Sequence, residues 1–169
     1  KISSYISKKV AEKLDRMFRD NRAEFEKKWN DIEVFIKYGM LTDEKFYDAA
    51  GKFFLLRDIS DRYYTLEEYR TLVEATQTDK DGDVVYLYAT DRTAQYSYSR
   101  GAEEKGYNVL LLDGQLDQHL IQMLESKLGK TRFVRVDSDT PERLIRKQDE
   151  KNADVSPLQA DLLTGIFRS

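Results

Sequence analysis

Four aspartates stand where the strands of a predicted sheet end, and their carboxylates are the first groups in the chain that could do chemistry. Asp91, Asp113, Asp137 and Asp139 each fall just past the carboxyl end of one of three predicted strands. Ligand sites of open parallel sheets lie beyond the carboxyl ends of the strands. Oxygen ligands are those that Mg²⁺ prefers. One interpretation is therefore a stand-alone magnesium-dependent or receiver-like α/β domain that uses Asp91, Asp113 and Asp137.

The competing interpretation gives these carboxylates a structural role. Asp91 and Asp113 precede predicted helices, where a carboxylate favours the positive end of the helix dipole. The sequence has no phosphate-cradling glycine loop with a lysine at a recognisable spacing. The residues favour this structural role, and we expect no bound metal.

A second acidic run, Asp79, Asp81 and Asp83, alternates as the ligands of a calcium loop do. Such a loop needs glycine at its sixth position and glutamate at its twelfth. Those positions hold Val84 and Thr90. The run is therefore predicted to be a solvated turn that leads into a strand.

His119 is the only histidine of the chain, so it lacks the partners of a catalytic or metal-binding histidine. There is no Gly-x-Ser-x-Gly elbow and no cysteine. His119 falls beside the apolar stripe Leu116, Leu120 and Leu124 of a predicted helix. The spacing predicts an exposed side chain, and we assign no catalytic residue.

Helices are predicted for the first third of the chain, because apolar residues recur there at intervals of three and four. Gly39 is predicted to end the second helix and Thr42 to cap the third. Three such helices on short connections predict a small antiparallel bundle. The apolar stripes comprise Ile2, Ile6, Val10 and Leu14, then Phe25, Trp29, Ile32 and Ile36, then Phe46, Ala50, Phe53 and Phe54.

The rest of the chain alternates between strand and helix patterns. Thr65 and Glu68 form a capping box that predicts a helix over 65–75. Strand-helix-strand-helix-strand order then predicts a parallel sheet. Of the tyrosines at 86, 88, 96 and 98, two are expected to pack under helices and two to face outward. The predicted strands are 84–89, 108–112 and 132–136, and the helices between them are 93–105 and 116–129.

The predicted fold class is therefore α/β: an N-terminal helical bundle followed by a small αβα unit with a three-stranded parallel sheet. The expected domains are a bundle over 1–57, an α/β unit over 58–140 and a charged linker from 141 onward. The helical rhythm at Lys1 and the helix start at Ser156 and Pro157 suggest that both ends continue in a longer protein.

The composition limits which classes of partner are expected. The net charge is -3, with both signs mixed among 35% charged residues, so no basic surface is predicted and nucleic acid is not an expected partner. No apolar run approaches the ~20 residues that cross a bilayer, so no membrane partner is expected. The absence of cysteine excludes disulfides and thiolate metal sites in this chain and fits a cytoplasmic location.

Several segments together resemble the heat shock protein 90 chaperones, and the bacterial type of that family most of all. "KISSYISKKVAEKLDRMF" and "FEKKWNDIEVFIKYGMLTDEKFYDAAGKFFLLR" are similar to the helical region in the middle of those proteins. "YTLEEYRTLV" matches the family's (S/T)-L-E-x-Y segment. "VVYLYAT", "GYNVLLLDGQLDQHLIQML" and "RFVRVDSD" follow in the family's order and spacing. The resemblance covers residues 1–140 and implies that 141–169 holds the linker and the start of the C-terminal domain.

The resemblance also implies that nucleotide binding belongs to another part of the full-length protein. In this family ATP and magnesium are bound by an amino-terminal domain, and an arginine that reaches the γ-phosphate lies on a loop that would precede Lys1. The resemblance therefore implies that this chain is a middle-region fragment that binds no cofactor and is not catalytic alone. The implied partners are unfolded or partly folded client proteins and the ATPase and dimerisation domains of the same chain, in a cytoplasmic homodimer.

Bacterial members carry Asp-Glu-Trp, followed three residues after the tryptophan by Asn, on the helix after the second strand. That exposed patch is implicated in client binding. The matching positions here are Asp117, Gln118, His119 and Gln122, of which only Asp117 is retained. Histidine still offers an apolar ring face and a polar edge. The resemblance therefore implies client binding at these four residues.

Overall fold

The N-terminal part of the computed structural model, which describes residues 4–147, is a bundle of three helices. They are α1 (Ser4–Asp20), α2 (Arg22–Thr42) and α3 (Glu44–Ala50). Single residues join them. The Asn21 side chain accepts from the backbone N–H of the third residue of α2, and Asp43 caps α3 in the same way.

Gly39 does not end the second helix, and Thr42 does not cap the third; both predictions are wrong. The second helix runs through Gly39 to Thr42, and Asp43 supplies the cap. A Cβ atom at Gly39 would lie 2.8 Å from the ring of Phe46 on α3. The glycine is there because α3 packs closely against α2, not because the chain must turn.

The predicted apolar stripe of α1 is only partly buried. Ser7 and Ala11 face the interior, whereas Ile6 and Val10 remain 52% and 43% exposed. Small residues at the buried positions let α1 approach its neighbours closely. The outer half of α1 therefore presents aliphatic side chains to solvent. Ile2 lies outside the described residues.

The α/β part has the predicted order of elements, with short additions. A hairpin of two-residue strands, β1 and β2, was not predicted. The elements are β1 (Leu56–Arg57), β2 (Tyr63–Tyr64), α4 (Leu66–Val73), β3 (Val84–Ala89), α5 (Tyr96–Glu104), β4 (Val109–Leu111), α6 (Asp117–Lys127), β5 (Thr131–Arg135) and α7 (Pro141–Leu144). The Thr65 and Glu68 capping box forms as predicted.

The three-stranded sheet is parallel, with the order β4-β3-β5, and this confirms the predicted fold class. Leu87 in the central strand lies opposite Val109 on one side and Val134 on the other. All six residues of β3 are buried. A strand covered on both faces is apolar throughout, which is why the continuous run identified it.

Each face of the sheet has its own core. Tyr86, Tyr88 and Leu110 point into a cluster that continues through α4 and α6 into the bundle. Val85, Leu87 and their neighbours point into a smaller cluster under α5 and α7. The larger cluster makes the bundle and one face of the sheet a single packed body.

Both edges of the sheet have partners. The Ile59 N–H donates to the Val109 carbonyl of β4 at 3.0 Å, so the segment after β1 covers that edge. At the other edge the Phe133 N–H of β5 donates to a carboxylate oxygen of Glu125 at 2.8 Å. Exposed Arg132 and Arg135 flank Phe133 on the same strand.

The first part of the stretch expected to be a linker is a helix. Leu144 ends this helix and Ile145 follows it, and the two are 5% and 0% exposed in the smaller core. Pro141 starts this short helix, as proline often does. Residues 148–169 and the predicted helix at Ser156 and Pro157 lie outside the described residues. None of the helices between residues 4 and 147 combines the length and apolar character needed to cross a membrane.

Candidate functional site

Gln95 connects the ends of two strands at the carboxyl edge of the sheet. The Gln95 side-chain oxygen accepts from the backbone N–H of Thr90 and Asp91, at 2.7 and 3.0 Å. Its amide nitrogen donates to Asp137 at 2.9 Å. This bond, and a second from Arg135 at 2.5 Å, hold the pKa of the Asp137 carboxyl below its usual value. Asp137 is therefore an ionised structural group.

The other acidic candidates have local partners. Asp91 accepts from Thr93 and Ala94 N–H at 3.0 Å and so caps the turn before α5, as the structural interpretation predicts. Asp113 pairs with Arg57 at 3.6 Å. Asp139 accepts from the N–H of its neighbour. Across residues 4–147 no group of three or more acidic, histidine or cysteine side chains is arranged to hold a metal ion.

Asp79 is 7% exposed and organises the predicted turn. Its carboxylate accepts from Asp81 and Asp83 N–H at 2.9 and 3.0 Å and pairs with Arg132 at 3.3 Å. The Asp79 carboxylate thus shapes the loop that enters β3.

The helix after β4 places three of the four predicted client-binding residues on the surface. Gln118, His119 and Gln122 are exposed on α6, which confirms the exposure expected of them. The opposite side of the helix is anchored in the core by Leu120 and Leu124, both 0% exposed. We call Gln118, His119 and Gln122 the α6 patch. It is a hydrogen-bonding surface with one aromatic ring, on a helix whose other side is packed in the core.

Asp117, the fourth residue, does not lie on that surface. It is 3% exposed. Its Oδ1 accepts from Lys37 Nζ at 2.7 Å, and its Oδ2 accepts from the Gly114 N–H at 2.8 Å. Lys37, on α2, is itself 6% exposed. Asp117 lies beneath the patch, where its contact with Lys37 attaches α6 to the bundle.

Two further ion pairs connect the bundle to the α/β unit. Arg22 donates two hydrogen bonds to Glu68, at 2.6 and 2.7 Å, and these lower the pKa of Glu68 to about 2. Lys127 at the end of α6 pairs with Glu44 at the start of α3. These pairs join residues that are far apart in sequence, so no local pattern predicted them.

A groove between α1 and α2 is the other notable surface. It encloses about 680 Å³ and is lined by Val10, Leu14, Phe35 and Tyr38 among others. Phe35 is 75% exposed and Tyr38 is 54% exposed. Apolar side chains make up most of its lining, which also includes Ser7, Thr42 and Asp43.

The chain is similar to curated bacterial chaperones over its whole length. It is 55% identical over 169 residues to the chaperone protein HtpG of Porphyromonas gingivalis and 52% identical over 169 residues to that of Bacteroides fragilis. It covers 25% of each of these relatives, so it spans about a quarter of their length. A more distant HtpG, from Bdellovibrio bacteriovorus, is 27% identical over 89% of this chain and 24% of its own length.

Among solved structures, the middle domain of a Plasmodium falciparum heat shock protein superposes with a TM-score of 0.56. The match covers 80% of this chain and 58% of that one, at 19% identity, and so shows a shared fold. No protein-family model matches the chain.

Proposed function

We propose that this chain, which corresponds over its whole length to a segment of the heat shock protein 90 chaperones of the bacterial HtpG type, contributes client binding and clamp architecture to an ATP-dependent molecular chaperone. The observation that carries the proposal is 51–55% identity over all 169 residues to proteins named HtpG. The related fold of a heat shock protein middle domain supports it.

The proposed contact for unfolded or partly folded clients is the α6 patch. Its glutamines can donate and accept hydrogen bonds, and its histidine adds a flat ring that tolerates varied partners. Because Leu120 and Leu124 anchor the helix, the patch is presented without a prior ordering cost. Asp117 contributes by holding the helix in place.

The chain is proposed not to be catalytic alone. ATP and magnesium would be bound elsewhere in a longer cytoplasmic chaperone, with ATPase and dimerisation domains as covalent partners and a homodimer as the assembly. Isothermal titration calorimetry of the 169-residue chain with Mg-ATP should show no binding heat. A micromolar dissociation constant would contradict this part of the proposal.

Client binding is tested with His119→Ala. The probe is reduced, carboxymethylated α-lactalbumin, a permanently unfolded protein, titrated into the 169-residue chain. We expect affinity to fall about fivefold, or about 1 kcal/mol, with the melting temperature unchanged because the side chain is exposed. Tyr98→Ala is the matched control, since Tyr98 is a 47% exposed aromatic on α5, across the sheet. Equal affinity for both variants and the parent chain would refute the proposal.

A further inference from the structure

The first turn of α6 begins without a conventional cap. Leu116 occupies the cap position and makes no side-chain hydrogen bond there. Asp117, the first helical residue, reaches back instead and accepts from the Gly114 N–H at 2.8 Å. A Cβ atom at Gly114 would lie 3.1 Å from that carboxylate, so glycine leaves room for the approach. The start of α6 is thus held by a side chain from within the helix.

The same carboxylate ties this turn to the bundle. Lys37 Nζ lies 2.7 Å from Asp117 Oδ1 and 2.7 Å from Glu33 Oε1. The Lys37 and Asp117 side chains are 8% and 4% exposed. A buried charge without its partner is costly, so the two groups stay together. The pair therefore fixes how α2 and the first turn of α6 meet.

The far end of α6 is attached differently. Lys127 pairs with Glu44, but these side chains are 31% and 74% exposed. Exposed pairs contribute little because water competes for both charges. The ion pair that joins α6 to the bundle is therefore buried at the end that carries Gln118 and His119 and exposed at the other end.

We propose that the Lys37–Asp117 pair is a positioning device for the α6 patch. Gln118 and His119 directly follow Asp117 on the turn that Lys37 holds, so the pair sets where their side chains stand relative to the bundle. Lys37 is the positioning residue. It acts through Asp117 and is itself buried. This inference rests on the proposed client binding and assigns to α2 a part in it.

The test is Lys37→Met, which removes the cation, keeps a side chain of similar length and leaves Asp117 bonded to Gly114. The chain has one histidine, so the ring signals of His119 are assigned without ambiguity. We expect the NMR signal of the His119 ring Hε1 to shift. Far-ultraviolet circular dichroism should stay the same, which shows that the variant is folded.

Client binding supplies the second readout, with the same unfolded α-lactalbumin. We expect Lys37→Met to weaken binding about fivefold, and Lys37→Met with His119→Ala to weaken it little further, because coupled residues are not additive. Lys127→Met, the control at the far end of α6, should leave both the His119 signal and the affinity unchanged. If Lys37→Met does not fold, Asp117→Asn replaces it, since the amide oxygen can still accept from Gly114.

The outcomes separate the two claims. A folded Lys37 variant with an unmoved His119 signal and parental affinity overturns the positioning role, whatever His119→Ala does. A shifted His119 signal with parental affinity in both Lys37→Met and His119→Ala overturns the client-binding proposal and this inference with it. A shifted signal with weakened, non-additive binding supports both.

Discussion

The outer half of the bundle and the α/β unit differ in how far their apolar side chains are buried. In the α/β unit the whole of β3 is buried, and each face of the sheet has a core. In the bundle, α1 and α2 carry six of the nine large apolar side chains that are exposed within residues 4–147. These six are Tyr5, Ile6, Val10, Val34, Phe35 and Tyr38.

The two halves of the bundle also differ from each other in burial. Its inner half shares the larger core with the sheet, where Phe25, Trp29 and Phe54 make aromatic contacts with ring centroids 5.7–6.0 Å apart. Its outer half has no sheet to cover it. Helical periodicity alone does not decide which apolar residues are buried, because burial depends on what stands opposite. Truncations are therefore expected to cost most where a side chain is fully buried and least in the outer half of the bundle.

The largest expected effect is at the centre of the sheet. Leu87→Ala removes a 0% exposed side chain from the smaller core and leaves a cavity, so we expect a loss of about 2–5 kcal/mol in the free energy of unfolding. Urea unfolding followed by circular dichroism measures it. A loss under about 1 kcal/mol would mean that this core can collapse around the gap and that the α/β unit is less rigid than its burial indicates.

Gly39→Ala probes the inner bundle and should change stability in the less usual direction. Alanine in a helix interior normally stabilises by about 1 kcal/mol relative to glycine. Here the new Cβ would lie 2.8 Å from the Phe46 ring, and overpacking costs about 1–3 kcal/mol. We expect a net loss of about 1 kcal/mol by urea unfolding. The truncation Phe46→Leu in the Gly39→Ala background should recover part of the lost stability. If Gly39→Ala is instead more stable than the parent chain, α3 can move away from α2 at little cost.

Glu68→Gln tests the polar connection between the two regions and keeps a residue suited to the capping box. Because Arg22 lowers the Glu68 pKa from its ordinary 4.5 to about 2, the stabilisation is present above 4.5 and is lost as the pH falls toward 2. Glu68 is half exposed, so we expect less than about 1 kcal/mol. Melting temperatures of the parent and variant should differ at pH 7 and converge near pH 2. If the difference in melting temperature is the same at pH 7 and pH 2, the stabilisation does not come from the charge of Glu68.

The smallest effect is expected in the outer bundle. Val10→Ala removes the end of a side chain that is 43% exposed on α1, and such surface changes usually stay within about 0.5 kcal/mol. Thermal melting compares it with Leu87→Ala. A loss of more than about 1.5 kcal/mol would mean that the outer half packs more tightly in solution, and the contrast between the two regions would weaken.

Much of the fold was predictable because its signals are local. A strand covered on both faces is an unbroken apolar run, so β3 and β4 were recognisable. The capping box needs only Thr65 and its neighbour three residues on. The exposure of His119 followed from its place beside the stripe of α6. In each case the residues that decide the outcome lie within one turn or one strand of each other.

The errors and omissions have a common cause in distant contacts. Gly39 looked like a helix end because its neighbour Phe46 on α3 was unknown. Lys37 and Asp117 are 80 residues apart in sequence, so nothing local joins them. Lys37 did leave one clue: it lies beside Ile36 and three residues before Met40, both buried, and a lysine so close to an apolar stripe invites a buried acidic partner.

The edges of the sheet have a consequence for how this part of the molecule can recognise another polypeptide. An extended peptide that adds a strand to a sheet gains affinity from main-chain hydrogen bonds, largely independent of its composition. Here Ile59 already occupies the edge of β4, and Glu125 holds the N–H of Phe133 between two arginines on β5. Strand addition would have to displace these partners. The proposed client contact would therefore be made through side chains, so the composition of a bound segment would matter more than its extended shape.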